Sequence, residues 1–229
     1  MAEWNKQKQQ REARLAAGAK LARGKLVDQA ATTALLEAVI QPGDRICLEG
    51  DNQKQADFLA ACLAEASPKT LHDIHVVQSG IVLPEHIDLF EKGIAKRLDY
   101  SYSGPQSYAL SRALKSGKIE LGAIHTYIEL FGRYFVDLTP HVALTVANSA
   151  DREGNLYMGP NTEDSPVVIE ATAFKDGIVV AQVNEVVEKL PRVDVPGDRV
   201  DFVVLGPKPF YVEPLFTRDP ASISDACGG

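Results

Sequence analysis

Residues 49–55 read EGDNQKQ and stand between a short apolar run, RICL, and a helical run, ADFLAACLAEA. A strand-to-helix turn offers free backbone amides to an anion, because the first N–H groups of a helix have no partner within it. A phosphate cradle at such a turn needs several glycines, and Gly50 is the only one here. Glu49 and Asp51 would also repel a phosphate. Two readings follow: a binding turn for some other anion, or a capped helix start in which Asn52 caps and Gln55 answers three residues on. A second polar string, NSADREGNLYMGPNTEDSP at 148–166, has the form of a strand, a hairpin turn at Glu153-Gly154-Asn155, a short second strand with Tyr157, then a helix start. His125, at the end of an apolar run, could move protons near neutral pH, although a lone histidine there more commonly caps or packs. His72 and His75 flank Asp73-Ile74 without further ligands at metal spacing, which argues against a metal centre. No G-x-S-x-G nucleophile motif occurs.

These residues need a scaffold. Six runs read as strands: 44–50, 73–79, 119–125, 141–148, 177–183 and 201–206. They are rich in β-branched residues and several are apolar on successive positions, as in strands covered on both faces. Helical patterns lie between them at 52–66, 83–93, 105–117, 126–135 and 165–177. In the first, Leu59, Cys62, Leu63 and Ala66 share one face, and Ser67-Pro68 stops it. In the last, Ser165 is expected to cap, Pro166 to occupy the first turn and Gly177 to end it. The alternation predicts an α/β fold, a Rossmann-like and mostly parallel sheet with helices on both faces. Ligands of such sheets sit beyond the carboxyl ends of the strands.

The 229 residues carry a net charge of −7, with 45% hydrophobic and 24% charged residues. That balance argues against nucleic-acid binding, and no apolar run is long enough for a membrane span. Three scattered cysteines fit a reducing cytoplasm rather than a disulfide framework. Charge is uneven: residues 1–25 hold seven basic and two acidic side chains, net +5 against −12 for the rest. This stretch reads as a basic helical arm, either solvated or docking an acidic partner. We therefore divide the chain into an arm at 1–25, an α/β domain at 26–220 and a short tail at 221–229.

The 148–166 string, with Ala150, Asp151, Gly154 and Asn155, followed by Ala181-Gln182-Val183 and Pro191, resembles the family I coenzyme A transferases. The strings LEGDNQKQADFL, LHDIH, PEHIDLFEKGIAKRLDYSYSGPQS, GAIHTYIELF, ADREGNLYMGPNTED, VAQVNEVV and FYVEPLFTRDP narrow the resemblance to the malonate decarboxylase α subunit branch, over residues 40–220. The resemblance implies a NagB-RpiA-like domain. It also implies a thioester exchange in which the thiol of an acyl carrier protein passes from acetate to malonate. No cofactor would be bound directly, since the chemistry occurs on the coenzyme A-derived prosthetic group of the carrier. Partners would be that carrier and the other decarboxylase subunits, in the cytoplasm. The family's catalytic glutamate is expected in a second, similar domain that would follow EPLFTRDP, so the chain reads as a first half. The ordinary transferases carry a glycine-rich loop where this chain has EGDNQKQ. We expect the thioester cleft to be lined by Gly50, the backbone amides of Asn52 and Gln53, and Gly154, Asn155, Asn161 and Gln182. The alternatives are a non-catalytic carrier-docking module and a citrate lyase-type α subunit.

Overall fold

The computed structural model describes residues 2–50, 54–159 and 164–212. In chain order the elements are α1 (Ala2–Ala19), β1 (Ala22–Arg23), β2 (Leu26–Val27), α2 (Thr32–Val39), β3 (Arg45–Leu48), α3 (Asp57–Ala64), β4 (Ile74–Gly80), α4 (Pro84–Glu91) and β5 (Ala95–Tyr102). There follow α5 (Ser107–Lys115), β6 (Glu120–Ile124), α6 (Tyr127–Val136), β7 (Val142–Ala150), β8 (Leu156–Tyr157), α7 (Ser165–Phe174), β9 (Ile178–Val186) and β10 (Phe202–Leu205).

One sheet runs in the order β1-β2-β10-β9-β7-β3-β4-β5-β6, with β8 added antiparallel to β7. Apart from β1 and β8 the pairings are parallel. From β3 the chain winds outward through β4, β5 and β6, then returns to place β7 on the other side of β3. That reversal is the switch point at which open α/β sheets form their crevice. Helices cover both faces. One core packs Leu35 and Leu36 of α2, Leu59 and Leu63 of α3 and Leu89 of α4 against Ile46, Leu48 and Val76. The other packs Leu130 and Tyr134 of α6 and Ile169 of α7 against Cys47, Val77 and Ala143. Parallel strands buried on both faces have this doubly apolar pattern.

Three details depart from the sequence reading. β5 was not expected, because Lys96, Arg97 and Asp99 interrupt its apolar pattern. Its paired position between β4 and β6 overrides that local signal. Helix α3 begins at Asp57, not at Asn52, and Gln55 instead bridges back to Gly50. The basic arm is built into the fold. Arg11 donates to Asp201 at 2.8 Å and to the Gly177 carbonyl at 3.1 Å, and Arg14 donates to Asp44 at 2.7 Å. A side chain at Gly18 would meet Phe202 at 2.5 Å, so α1 lies flush on the domain. β1 and β2 then carry the chain into the sheet.

Candidate functional site

β3 ends beside the first part of β7, with Leu48 level with Leu144. The next side chain, Glu49, turns toward α7 and is buried. One carboxylate oxygen accepts from the Val146 amide at 2.7 Å and from the Thr145 hydroxyl. The other accepts from the Ser165 hydroxyl and lies 3.6 Å from the Lys54 ammonium. Lys54 in turn donates to the Ser165 oxygen at 2.8 Å. Glu49, Lys54, Thr145 and Ser165 are all buried. A desolvated ion pair survives only where further hydrogen bonds satisfy both charges, and Ser165 serves both at once by donating to the carboxylate and accepting from the ammonium. Ser165 is brought here because β8 doubles back along β7 before α7 begins. It is the first residue of α7, not its cap, which is Asp164. Asp164 accepts a hydrogen bond from Ser79 at the end of β4.

Beneath this network Cys47 approaches the Tyr134 hydroxyl at 3.8 Å. Burial pushes both the thiol and the phenol up, so both stay protonated and neither is an activated nucleophile. On the opposite face of the turn two backbones meet. A Cβ on Gly50 would lie 2.9 Å from the Gly80 carbonyl oxygen, and one on Gly80 would lie 2.7 Å from that of Gly50. The single glycine of the turn is therefore demanded by close strand-end packing rather than by a phosphate. His86 stands behind the pair. Its Nδ1 accepts from Gln78 Nε2 at 2.9 Å and from the amides of Val82 and Leu83 at 3.2 and 3.4 Å. Burial pushes its pKa down to about 3, so the ring is neutral.

The structure brings only part of the expected set together. Gly50 is at the switch point. Asn52, Gln53 and Asn161 lie outside the described residues. Gln182 is fully buried and its amide is spent on the start of α3: Oε1 accepts from the Phe58 and Leu59 amides at 3.1 and 3.2 Å, and Nε2 donates to Asp57 at 2.7 Å. It anchors a helix and does not line a cleft. Gly154 and Asn155 lie in the turn between β7 and β8. Asn155 donates to Asp151 at 2.7 Å and accepts from the Gly197 amide at 2.8 Å, while Gly154 takes φ +83° against the Lys25 side chain. Asp151 is six residues beyond Thr145 in sequence, roughly 20 Å along a strand direction, and this turn is tied to Gly197. Lys54, Thr145 and Ser165 went unrecognised as a group. The available signal was a hydroxyl residue inside the otherwise apolar run VALTVA, a polar group that needs a partner when buried.

His125 is buried and hydrogen-bonded at the end of β6. Its Nε2 meets Asp99 at 2.8 Å, and the other Asp99 oxygen meets His75 Nε2 at 2.7 Å. Burial alone would raise the Asp99 pKa, but these two hydrogen bonds more than offset it and the carboxyl is held low. No group of three or more metal-ligating side chains is arranged to hold an ion among the described residues. A cavity of about 300 Å³ opens beside the start of α3, lined by Asp57, Phe58, Leu83, Glu85, Lys208 and Tyr211. A larger one of about 540 Å³ lies at the amino ends of the strands under α1, away from the ligand side of the sheet. No helix among the described residues is long and apolar enough to cross a membrane.

A doubly wound sheet with a polar network at this switch point has the fold of the coenzyme A transferases. Glutaconate coenzyme A-transferase from Acidaminococcus fermentans matches with a TM-score of 0.63 at 14% identity, over 80% of this chain and 76% of that one. The chain belongs to the malonate decarboxylase α subunit family, whose model, described as malonate decarboxylase, alpha subunit, transporter, matches residues 3–227. A curated relative from Malonomonas rubra, acetyl-S-ACP:malonate ACP transferase, is 59% identical over 201 residues, covering 88% of this chain and 36% of the relative. A chain of a Pseudomonas malonate decarboxylase hetero-tetramer, solved in complex with malonate, matches with a TM-score of 0.93 at 53% identity, over 97% of this chain and 41% of that one. The chain thus spans about two fifths of the length of the Malonomonas rubra and Pseudomonas relatives.

Proposed function

We propose that this chain supplies the first α/β domain of an acyl-carrier-protein transferase that converts acetyl-S-carrier and malonate to malonyl-S-carrier and acetate. The observation that carries the reading is the 59% identity with the Malonomonas rubra transferase over 201 residues, 88% of this chain. The exchange balances without an external reactant. The thioester C–S bond to the acetyl group breaks, one forms to a malonate carboxyl carbon, and the carboxyl oxygen that malonate gives up leaves in acetate. Both acids are anions, and the developing oxyanions require donors fixed in place before reaction. The Glu49–Lys54–Ser165 network holds the two strand ends and the start of α7 in fixed register around the crevice. Glu49 is a positioning residue: both of its oxygens are already engaged, which leaves no free carboxylate for attack on a thioester. The attacking glutamate belongs to a second domain in this reading.

The same reading makes the carrier, with its coenzyme A-derived arm, and the remaining decarboxylase subunits the partners of the chain, and the cytoplasm its compartment, where Cys47 and Cys62 stay free thiols. The test is acetate release from acetyl-S-carrier on addition of malonate. We expect release with a two-domain α subunit containing this sequence and none with residues 1–229 alone. No release from the two-domain subunit, or release driven by citrate in preference to malonate, would overturn the assignment.

A further inference from the structure

We propose that the exposed face of α5 is the docking surface for an acidic protein, namely the acyl carrier of the reading above, on which this identification of the partner rests. In a chain of net charge −7, residues 92–119 hold six basic side chains against Asp99 alone. Asp99 is buried and committed to His75 and His125. Helix α5 contains no acidic residue. Leu110 and Ala113 turn into the core, which leaves Tyr108, Ser111, Arg112 and Lys115 on the solvent side at helical spacing. Tyr108 is 75% exposed, and the Arg112 guanidinium lies 5.3 Å from the centre of its ring. Neither Arg112 nor Lys115 has an ion-pair partner among the described residues, whereas neighbouring Lys118 is paired with Glu91.

An ordinary solvated helix face mixes both signs of charge. A single-sign face with an exposed tyrosine stacked on arginine has the composition of a protein interface, where Tyr and Arg are enriched. Its position also fits. Gln106, just ahead of α5, donates to the Val82 carbonyl at 3.2 Å, and the Ile81 amide donates to the Tyr102 carbonyl at 2.8 Å. Gly104 adopts φ +51°, and a Cβ there would crowd the Ile81 carbonyl oxygen at 3.0 Å. The start of α5 is thereby stitched to the connection that follows Gly80, the partner of Gly50 at the switch point. The start of α5 thus lies next to the carboxyl end of β4, with Arg112 and Lys115 one to two turns further along the helix. The N-terminal arm is a weaker candidate, since Arg11 and Arg14 are spent on Asp201 and Asp44.

The experiment uses the two-domain subunit and fluorescently labelled carrier, with affinity followed by anisotropy across salt concentrations. Arg112→Glu/Lys115→Glu is expected to weaken binding by about tenfold or more at low salt and to flatten its salt dependence. Lys8→Glu/Lys20→Glu on α1 is expected to leave affinity unchanged. Acetate release from acetyl coenzyme A, which needs no carrier docking, should be the same in the α5 variant and the wild type. Unchanged carrier affinity in the α5 variant overturns the proposal, as does heparin binding to the wild type as tightly as the carrier does, which would mark a general polyanion surface. Failure of the transferase reading appears separately, as a wild type that releases no acetate from either thioester; the anisotropy result then still decides whether α5 docks the carrier.

Discussion

Replacing Lys54 with methionine leaves the Glu49 carboxylate buried without its ammonium. At 3.6 Å, and with the effective dielectric of about 20 that suits such sites, the attraction forgone is about 5 kcal/mol. Removal of one member of a buried pair costs about 3–5 kcal/mol, because the other charge stays desolvated. Glu49 keeps its hydrogen bonds from Val146, Thr145 and Ser165, so the expected loss lies near 3 kcal/mol. Urea denaturation of the 229-residue chain followed by circular dichroism measures it, as a drop in midpoint on the order of 1 M. Glu49→Gln should be comparably costly, since it strands the ammonium. The double variant, with no buried charge left, should be less destabilised than the sum of the singles by more than about 1 kcal/mol. Additive losses within about 0.5 kcal/mol, or a Lys54→Met loss below about 1 kcal/mol, would refute the idea that the pair is one coupled unit.

Gly50→Ala drives a methyl group onto the Gly80 carbonyl oxygen and the His86 ring, both 2.9 Å from the new carbon, and should lower stability by about 1–3 kcal/mol in thermal melts. Gly132→Ala, in α6 with nothing within 4 Å, is the opposite case and should stabilise by about 0.5–1 kcal/mol. Gln182→Leu leaves the Leu59 amide without its acceptor and the Phe58 amide with Asp57 alone, and a loss of about 1–2 kcal/mol with faster amide exchange at the start of α3 is expected. His86 is neutral in the fold down to about pH 3, whereas it titrates near 6.5 once unfolded. Its depressed pKa therefore costs nothing above pH 6.5 and removes about 1.4 kcal/mol of stability per unit as pH falls below it. Whatever His86→Gln costs at pH 7, the gap to the wild type should narrow by about 2 kcal/mol at pH 5, and a gap that stays constant contradicts a neutral buried imidazole.

The doubly apolar runs announced a parallel sheet directly, and each of the six expected strands is present. β5 escaped because Lys96, Arg97 and Asp99 are held there by pairing and by the two histidines, contacts that no local pattern records. The site was half legible. Gly50 and the turn were visible from the strand-to-helix transition, but Ser165 is 116 residues from Glu49, and their contact depends on β8 reversing the chain. Gln182, Gly154 and Asn155 drew notice as polar or flexible residues near a motif, yet they serve a helix start and a turn. Polarity marks that a buried group must have a partner; it does not say whether that partner is a ligand or the backbone.

The glycine-poor turn changes how an anionic substrate can be held. A glycine-rich loop presents a row of backbone amides to an anion. Here the strand end carries a buried carboxylate in that neighbourhood, and on its own Glu49 would repel an anion. Lys54 lies 3.6 Å from that carboxylate and is buried with it, so the pair itself carries no net charge at the end of β3. Ser165 joins the pair to α7, so the same contact that neutralises Glu49 also sets where α7 begins. Charge compensation of Glu49 and the placement of the start of α7 are thus secured by one three-residue network. A variant that alters its charge should disturb both together.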